Sequence, residues 1–235
     1  MEINNNKFLQ IISKSFKEFI KSGTSRSTQK LKPLHGAIAE DLANILGDNY
    51  KILSQGYKKG KEGEIEGRYI NKKVDITITQ NGKAIGGVAV KFVMQNYAQN
   101  SNNYFENMLG ETANIRSNKC PYFQIFIILD KLPYYDKKKN IKHWEAFTNT
   151  KIKKYITMSN DNTDMFFHTP NKTLIFVVHP VDNNNLKNQK EYLDFYKDRT
   201  ELILSLNKYE SCGNAVIIND YKKFMEKVFH TIKSL

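Results

Sequence analysis

Two β-rich runs joined by Asn81-Gly82 constrain this chain more than any other stretch. The first reads Lys73-Val74-Asp75-Ile76-Thr77-Ile78-Thr79-Gln80, and the second extends from Lys83 to Phe92. Asn-Gly is the strongest short-range hairpin signal because both central turn positions require positive φ. A two-residue turn pairs Gln80 with Lys83 and Ile78 with Ile85; continued unbroken, it sets Asp75 opposite Val88. Side chains alternate with period two, so that register places Lys91 on the face opposite Asp75. One extra residue at Gly86-Gly87, a β-bulge, instead pairs Asp75 with Ala89 and gathers Asp75, Ala89 and Lys91 on one face. Ile76, Ile78, Val88, Val90 and Phe92 then form the apolar face. Lys91 lies deep in an apolar run, where an unpaired ammonium is costly, and this favours a chemical role over a chance pair on a surface hairpin.

A carboxylate and a lysine on adjacent strand ends are what a magnesium-dependent phosphodiester nuclease needs. The acid holds the ion and the ammonium orients water beside the phosphate. Asp75 followed by Val88-Ala89-Val90-Lys91 resembles the core of the PD-(D/E)xK nuclease superfamily, whose best-known members are the type II restriction endonucleases. The resemblance covers roughly residues 34–130 and implies an α/β (α+β) fold. It predicts a restriction-endonuclease-like core in αβββαβ order, with a central mixed five-stranded sheet flanked by helices. It also implies Mg²⁺ as cofactor, double-stranded DNA as substrate and a homodimer that cuts both strands of a short palindrome.

Two positions depart from the family pattern. Val74 precedes Asp75 where a proline is frequent, and Ala89 stands where the second metal-binding acid is expected. In some restriction enzymes a glutamate on the following helix takes over, which by resemblance points to Glu106 and, next, Glu111. The resemblance further assigns the Val90 carbonyl as a metal ligand, and Glu40 by its place on the preceding helix. Three outcomes stay open at Ala89: a carboxylate supplied from elsewhere, a catalytically impaired DNA-binding protein, or a disabling substitution. A repair or recombination nuclease that reads DNA structure is the other alternative.

Composition agrees with a polyanionic partner. Thirty-six Lys+Arg against 24 Asp+Glu give a formal charge of +12, which attracts nucleic acid through counterion release. The charge concentrates in Lys58-Lys59-Gly60-Lys61, Lys72-Lys73 and Lys137-Lys138-Lys139. An amide-rich arm after Lys91 supplies candidates for reading base edges: Asn96, Gln99, Asn100, Asn102 and Asn103, with Tyr104 and Arg116. Two cysteines, Cys120 and Cys212, imply no disulfide framework, and no Cys/His spacing suggests zinc. The five histidines are scattered and read as structural or surface residues. No Gly-rich phosphate loop or nucleophile elbow appears, against an NTPase or an α/β-hydrolase.

The longest apolar run, residues 123–129, is too short to span a bilayer, and no signal peptide is visible. The expectation is a cytoplasmic protein of one domain over residues 1–235. An N-terminal helix covers 1–22, the catalytic core 34–130, and completing strands and helices 131–235. Hydrophobic periodicity predicts helices near 35–46, 104–117, 144–147 and 189–206, a terminal helix to about 232, and strands at 50–54, 122–129, 174–178 and 215–218. Residues 22–28, 131–142 and 180–188 read as loops, and 56–67 as a mobile loop or a hairpin tip from which Glu66 could approach Asp75.

Overall fold

A computed structural model of the chain describes residues 3–24, 29–181 and 185–235. The expected links at 22–28 and 180–188 fall partly outside these residues. The first helix, α1 (Asn5–Ser22), is capped by the Asn4 side chain, which accepts the Lys7 N–H, and ends at Gly23 in the left-handed region. Phe8, Ile12, Phe16, Phe19 and Ile20 make its buried stripe. A 3-10 turn (Gln29–Leu31) leads into α2 (Lys32–Leu46), which starts ahead of Pro33 because proline is tolerated in the first turn.

There follow β1 (Lys51–Ser54), the short pair β2 (Gly63–Ile65) and β3 (Lys72–Val74), then β4 (Ile76–Gln80) and β5 (Lys83–Val93). Helix α3 (Tyr97–Arg116) crosses over to β6 (Tyr122–Leu129). The rest comprises β7 (Lys131–Tyr135), β8 (Ile141–Ala146), α4 (Asn149–Ser159), β9 (Lys172–Pro180), α5 (Gln189–Tyr196), β10 (Leu202–Leu204), β11 (Val216–Ile218) and α6 (Tyr221–Lys233).

The main sheet is mixed, in the order β1-β4-β5-β6-β9-β10, with β11 also paired to β9. It has seven strands, not the five expected, because β10 and β11 both add to β9. β1, β4 and β5 run antiparallel, while β5, β6 and β9 are parallel and buried, which suits the unbroken apolar run of β6. One face is covered by α1, α2 and α6, with Phe8 stacked on Tyr221 and Phe224 edge-on to Phe123. The other face, carrying Phe126 with Tyr97, Phe147 and Tyr155 around it, lies under α3 and α4.

The hairpin takes the bulged register. Gln80 pairs with Lys83 and Thr79 with Ala84, but Ile78 pairs with Gly86 and Ile76 with Val88, so the extra residue is Ile85. The glycines expected to form the bulge serve packing instead. A Cβ on Gly86 would come 2.6 Å from the Ile232 side chain, and one on Gly87 would come 2.6 Å from Ile65.

Three elements differ from expectation. Helix α3 begins at Tyr97, so the amide-rich arm is its first turns. The reason is distant: the buried Glu145 carboxylate on β8 accepts the Tyr97 N–H at 2.7 Å and the Ala98 N–H at 2.9 Å, capping the helix from outside. Residues 131–146 form the β7–β8 hairpin rather than a loop and a helix around Trp144. Asn96 ties that hairpin to α3, since its N–H donates to the Pro133 carbonyl and its side-chain oxygen accepts the Tyr135 N–H. The helix predicted over 189–206 stops at Tyr196, and the chain extends so that Leu202–Leu204 pairs with the edge of β9. Among the described residues no helix is long and apolar enough to cross a membrane.

Candidate active site

The site lies on the α3 side of the sheet, where Ala89 and Lys91 of β5 stand beside Gln124 and Phe126 of β6. Asp75 occupies the junction of β3 and β4. Its carbonyl accepts the Ser54 hydroxyl at 2.8 Å, and its Oδ2 accepts the Val90 N–H at 2.8 Å. The β4 ladder ends at the Ile76–Val88 pair, and the carboxylate of Asp75 takes the next donor along β5. This fixes the carboxylate at the sheet end, with Oδ1 turned towards His35 Nδ1 at 3.9 Å.

Asp75, Ala89, Val90, Lys91, Tyr104, Asn107, Glu111 and Gln124 line one cavity of about 340 Å³. Glu111 reaches it from α3 and forms an ion pair of 2.9 Å with Lys72. Burial raises the Asp75 pKa to about 6; the Glu111 charge adds to the rise, while the Val90 N–H, Lys91 and Lys72 oppose it. Burial of the ammonium end lowers the Lys91 pKa, and Asp75 works against that.

Although its neighbours in the strand are apolar, Lys91 lies on the face opposite them, exposed along its stem and turned to the cavity at its end. The alternation that buries Val90 and Phe92 turns Lys91 to the cavity, where Nζ lies 4.3 Å from the centre of the Tyr104 ring. The side-chain amide of Gln124 is buried, with Nε2 lacking a partner. Ala89, its partner on the neighbouring strand, lines the same cavity.

Glu111, not Glu106, is the glutamate that α3 brings to Asp75. Glu106 is exposed on the flank of the helix, where its charge bears on Lys154. Glu40 is likewise exposed; burial raises the pKa of its neighbour Asp41, and the Glu40 charge adds a little to that rise. The residue of α2 that faces Asp75 is His35, in the first turn. A close approach sets this position: a Cβ on Gly36 would come 2.3 Å from the Gly56 carbonyl oxygen.

His35, Glu62 and Asp75 form a group whose ligand atoms all lie within 4.8 Å of one another, an arrangement able to hold a metal ion. Glu62 immediately precedes β2, and the Gly63–Val74 pair carried one step further puts it opposite Asp75. Glu66, its neighbour in the loop, is exposed. Sequence reasoning missed His35 and Glu62, which share no recognisable spacing. It also missed Lys30, a buried lysine whose pKa falls to about 8 through burial and then the charge of Lys91.

Of the expected DNA contacts, Gln99, Asn102 and Asn103 sit with Glu106 on one exposed stripe of α3 at i, i+3, i+4 and i+7. Asn100 is half-buried and turns its amide back to the Asn96 carbonyl at 3.4 Å. Asn96 is committed to β7, as described above. Arg116 is also committed: it is buried, and its guanidinium donates to the carbonyls of Phe166, Thr169 and Thr163 at 3.1, 2.6 and 2.6 Å. No family model, curated protein or solved structure matches the chain.

Proposed function

We propose that the chain is a magnesium-dependent endonuclease of the restriction type, acting in the cytoplasm as a homodimer on double-stranded DNA. The observation that carries this reading is the single cavity shared by Asp75, Glu111 and Lys91. The helix, three antiparallel strands, crossover helix and parallel strand of α2-β1-β4-β5-α3-β6 agree with it.

The donor set fits a hard divalent ion. Two carboxylates, Asp75 and Glu111, repel each other across the cavity, and a cation relieves that repulsion. Asp75 and Glu111 would hold the ion together with the Val90 carbonyl. Bound Mg²⁺ supplies Lewis-acid polarisation of the phosphate and neutralises developing charge. Lys91, carried on the same strand, holds the attacking water beside the phosphate, and its lowered pKa eases proton exchange with that water. Gln124 offers its free N–H to a non-bridging oxygen or to the water. The stripe of Gln99, Asn102 and Asn103 meets a groove, while Lys137, Lys138 and Lys139 in the β7–β8 turn meet phosphates. Two copies place one such site on each strand.

The test is incubation of the purified chain with unmethylated phage DNA in Mg²⁺ and, separately, in Ca²⁺. Discrete magnesium-dependent fragments are expected, and Asp75→Asn should abolish them while binding in Ca²⁺ persists. Neither cutting in Mg²⁺ nor binding in Ca²⁺ would overturn the reading, and a smear without discrete fragments would favour the structure-reading nuclease. A second reading, a binder that does not cut, is favoured by Ala89 and by the occupation of Glu111 by Lys72. Binding without cutting, with cutting gained in Ala89→Glu, would establish it.

A further inference from the structure

Asp75 has two sides. The side facing α3 belongs to the cavity described above; the side facing α2 meets His35 and Glu62. We infer that His35, Glu62 and Asp75 form a second, nitrogen-bearing cation position that takes a transition ion of the Mn²⁺ class in preference to Mg²⁺.

Several observations converge on it. His35 is 5% exposed, its Nδ1 stands 3.9 Å from Asp75 Oδ1, and its buried Nε2 has no hydrogen-bond partner, so the ring is not tied up within the protein. Both carboxylates are braced from behind. Gln55 Nε2 donates to Glu62 Oε1 at 3.0 Å, and the Val90 N–H and the Ser54 hydroxyl fix the side chain and backbone of Asp75. Such supporting hydrogen bonds are the outer shell that orients metal ligands. The fold invests in the arrangement too, because glycines at 36 and 56 let the start of α2 approach the turn after β1 closely enough to deliver His35.

The donor chemistry sets the ion. Imidazole suits first-row transition metals, while Mg²⁺ and Ca²⁺ take oxygen ligands. One nitrogen with two carboxylates and no thiolate matches Mn²⁺, Fe²⁺ or Co²⁺ and leaves positions for water. Shared use of Asp75 puts this ion next to the Glu111 side, in the manner of paired-ion phosphodiesterase sites. The position borders the proposed nuclease site but needs no DNA, so its test and the cleavage test fail independently.

The experiment is a Mn²⁺ titration of the full chain, with free ion read by its electron paramagnetic resonance signal and a pulsed measurement of nitrogen coupling on the bound ion. The expected result is ¹⁴N modulation in the parent protein and Mn²⁺ binding at least about tenfold weaker in His35→Gln, with the modulation lost. Glu62→Gln should weaken Mn²⁺ similarly while keeping the nitrogen signal, and it serves if the buried histidine cannot be replaced without unfolding. Glu111→Gln should leave the nitrogen signal in place. Bound Mn²⁺ without nitrogen coupling, no Mn²⁺ binding, or Glu62→Gln binding as tightly as the parent would overturn the assignment.

Discussion

Replacing Arg116 by methionine separates the two roles open to a basic residue near the end of α3, holding the protein's own carbonyls or reading a base. Arg116 is 8% exposed, and its guanidinium holds three carbonyls of the 163–169 segment. Thr169 is fully buried, so its carbonyl would lose its partner without access to water, at about 1–3 kcal/mol. Phe166 and Thr163 lie nearer the surface, and each returns to water for a net loss of about 0.5–1.5 kcal/mol. Methionine keeps most of the apolar stem, and relief of the buried charge, which already lowers the Arg116 pKa, offsets part of the sum. The expected loss is about 3 kcal/mol. For a chain of this size it lowers the melting temperature by about 6–12 °C. Urea unfolding followed by the fluorescence of Trp144, the single tryptophan, measures it. A variant within about 0.5 kcal/mol of the parent that has lost discrimination at one guanine would refute the structural role and restore the arginine to base reading.

Two further substitutions test the surroundings of the site. Lys30→Met should be more stable than the parent at pH 7 by up to about 3 kcal/mol. The folded pKa of about 8 lies below the ordinary 10.5, so the unfolded state binds more protons between those values and parent stability rises with pH across that window. The advantage of the variant should therefore shrink between pH 8 and 10.5, and a difference independent of pH would count against a buried, charged Lys30. Glu145→Ala should cost about 1–2 kcal/mol and speed amide exchange over residues 97–103, while unchanged exchange there would mean that the cap contributes nothing.

What the sequence discloses depends on how far apart the causes lie. The β4–β5 hairpin and β6 are legible because their determinants are local: the Asn-Gly turn, period-two alternation and an unbroken apolar run. The start of α3 is not, because Asn96 is held in the left-handed region by β7 and the cap comes from Glu145. β10 forms because an edge of β9 has backbone groups to satisfy, which no property of residues 202–204 announces. The same holds within the site. Asp75 and Lys91 stand out in the hairpin, and Glu111 is one turn and a half from the glutamate ranked above it. His35 and Glu62 reach Asp75 only through a glycine contact and a short ladder formed by residues far apart in the chain.

The cap on α3 has a consequence for how this protein is made and reused. The two N–H groups that open the helix are closed by a side chain synthesised 48 and 47 positions later. On a chain emerging from the ribosome, the first turn of α3, where the amide stripe begins, stays uncapped until β8 has followed. A fragment ending at Asp130 would carry the strands of the motif with a frayed helix beside them. The stretch from α2 to β6 is therefore not a cassette: moved onto another scaffold, it must bring β8 with it.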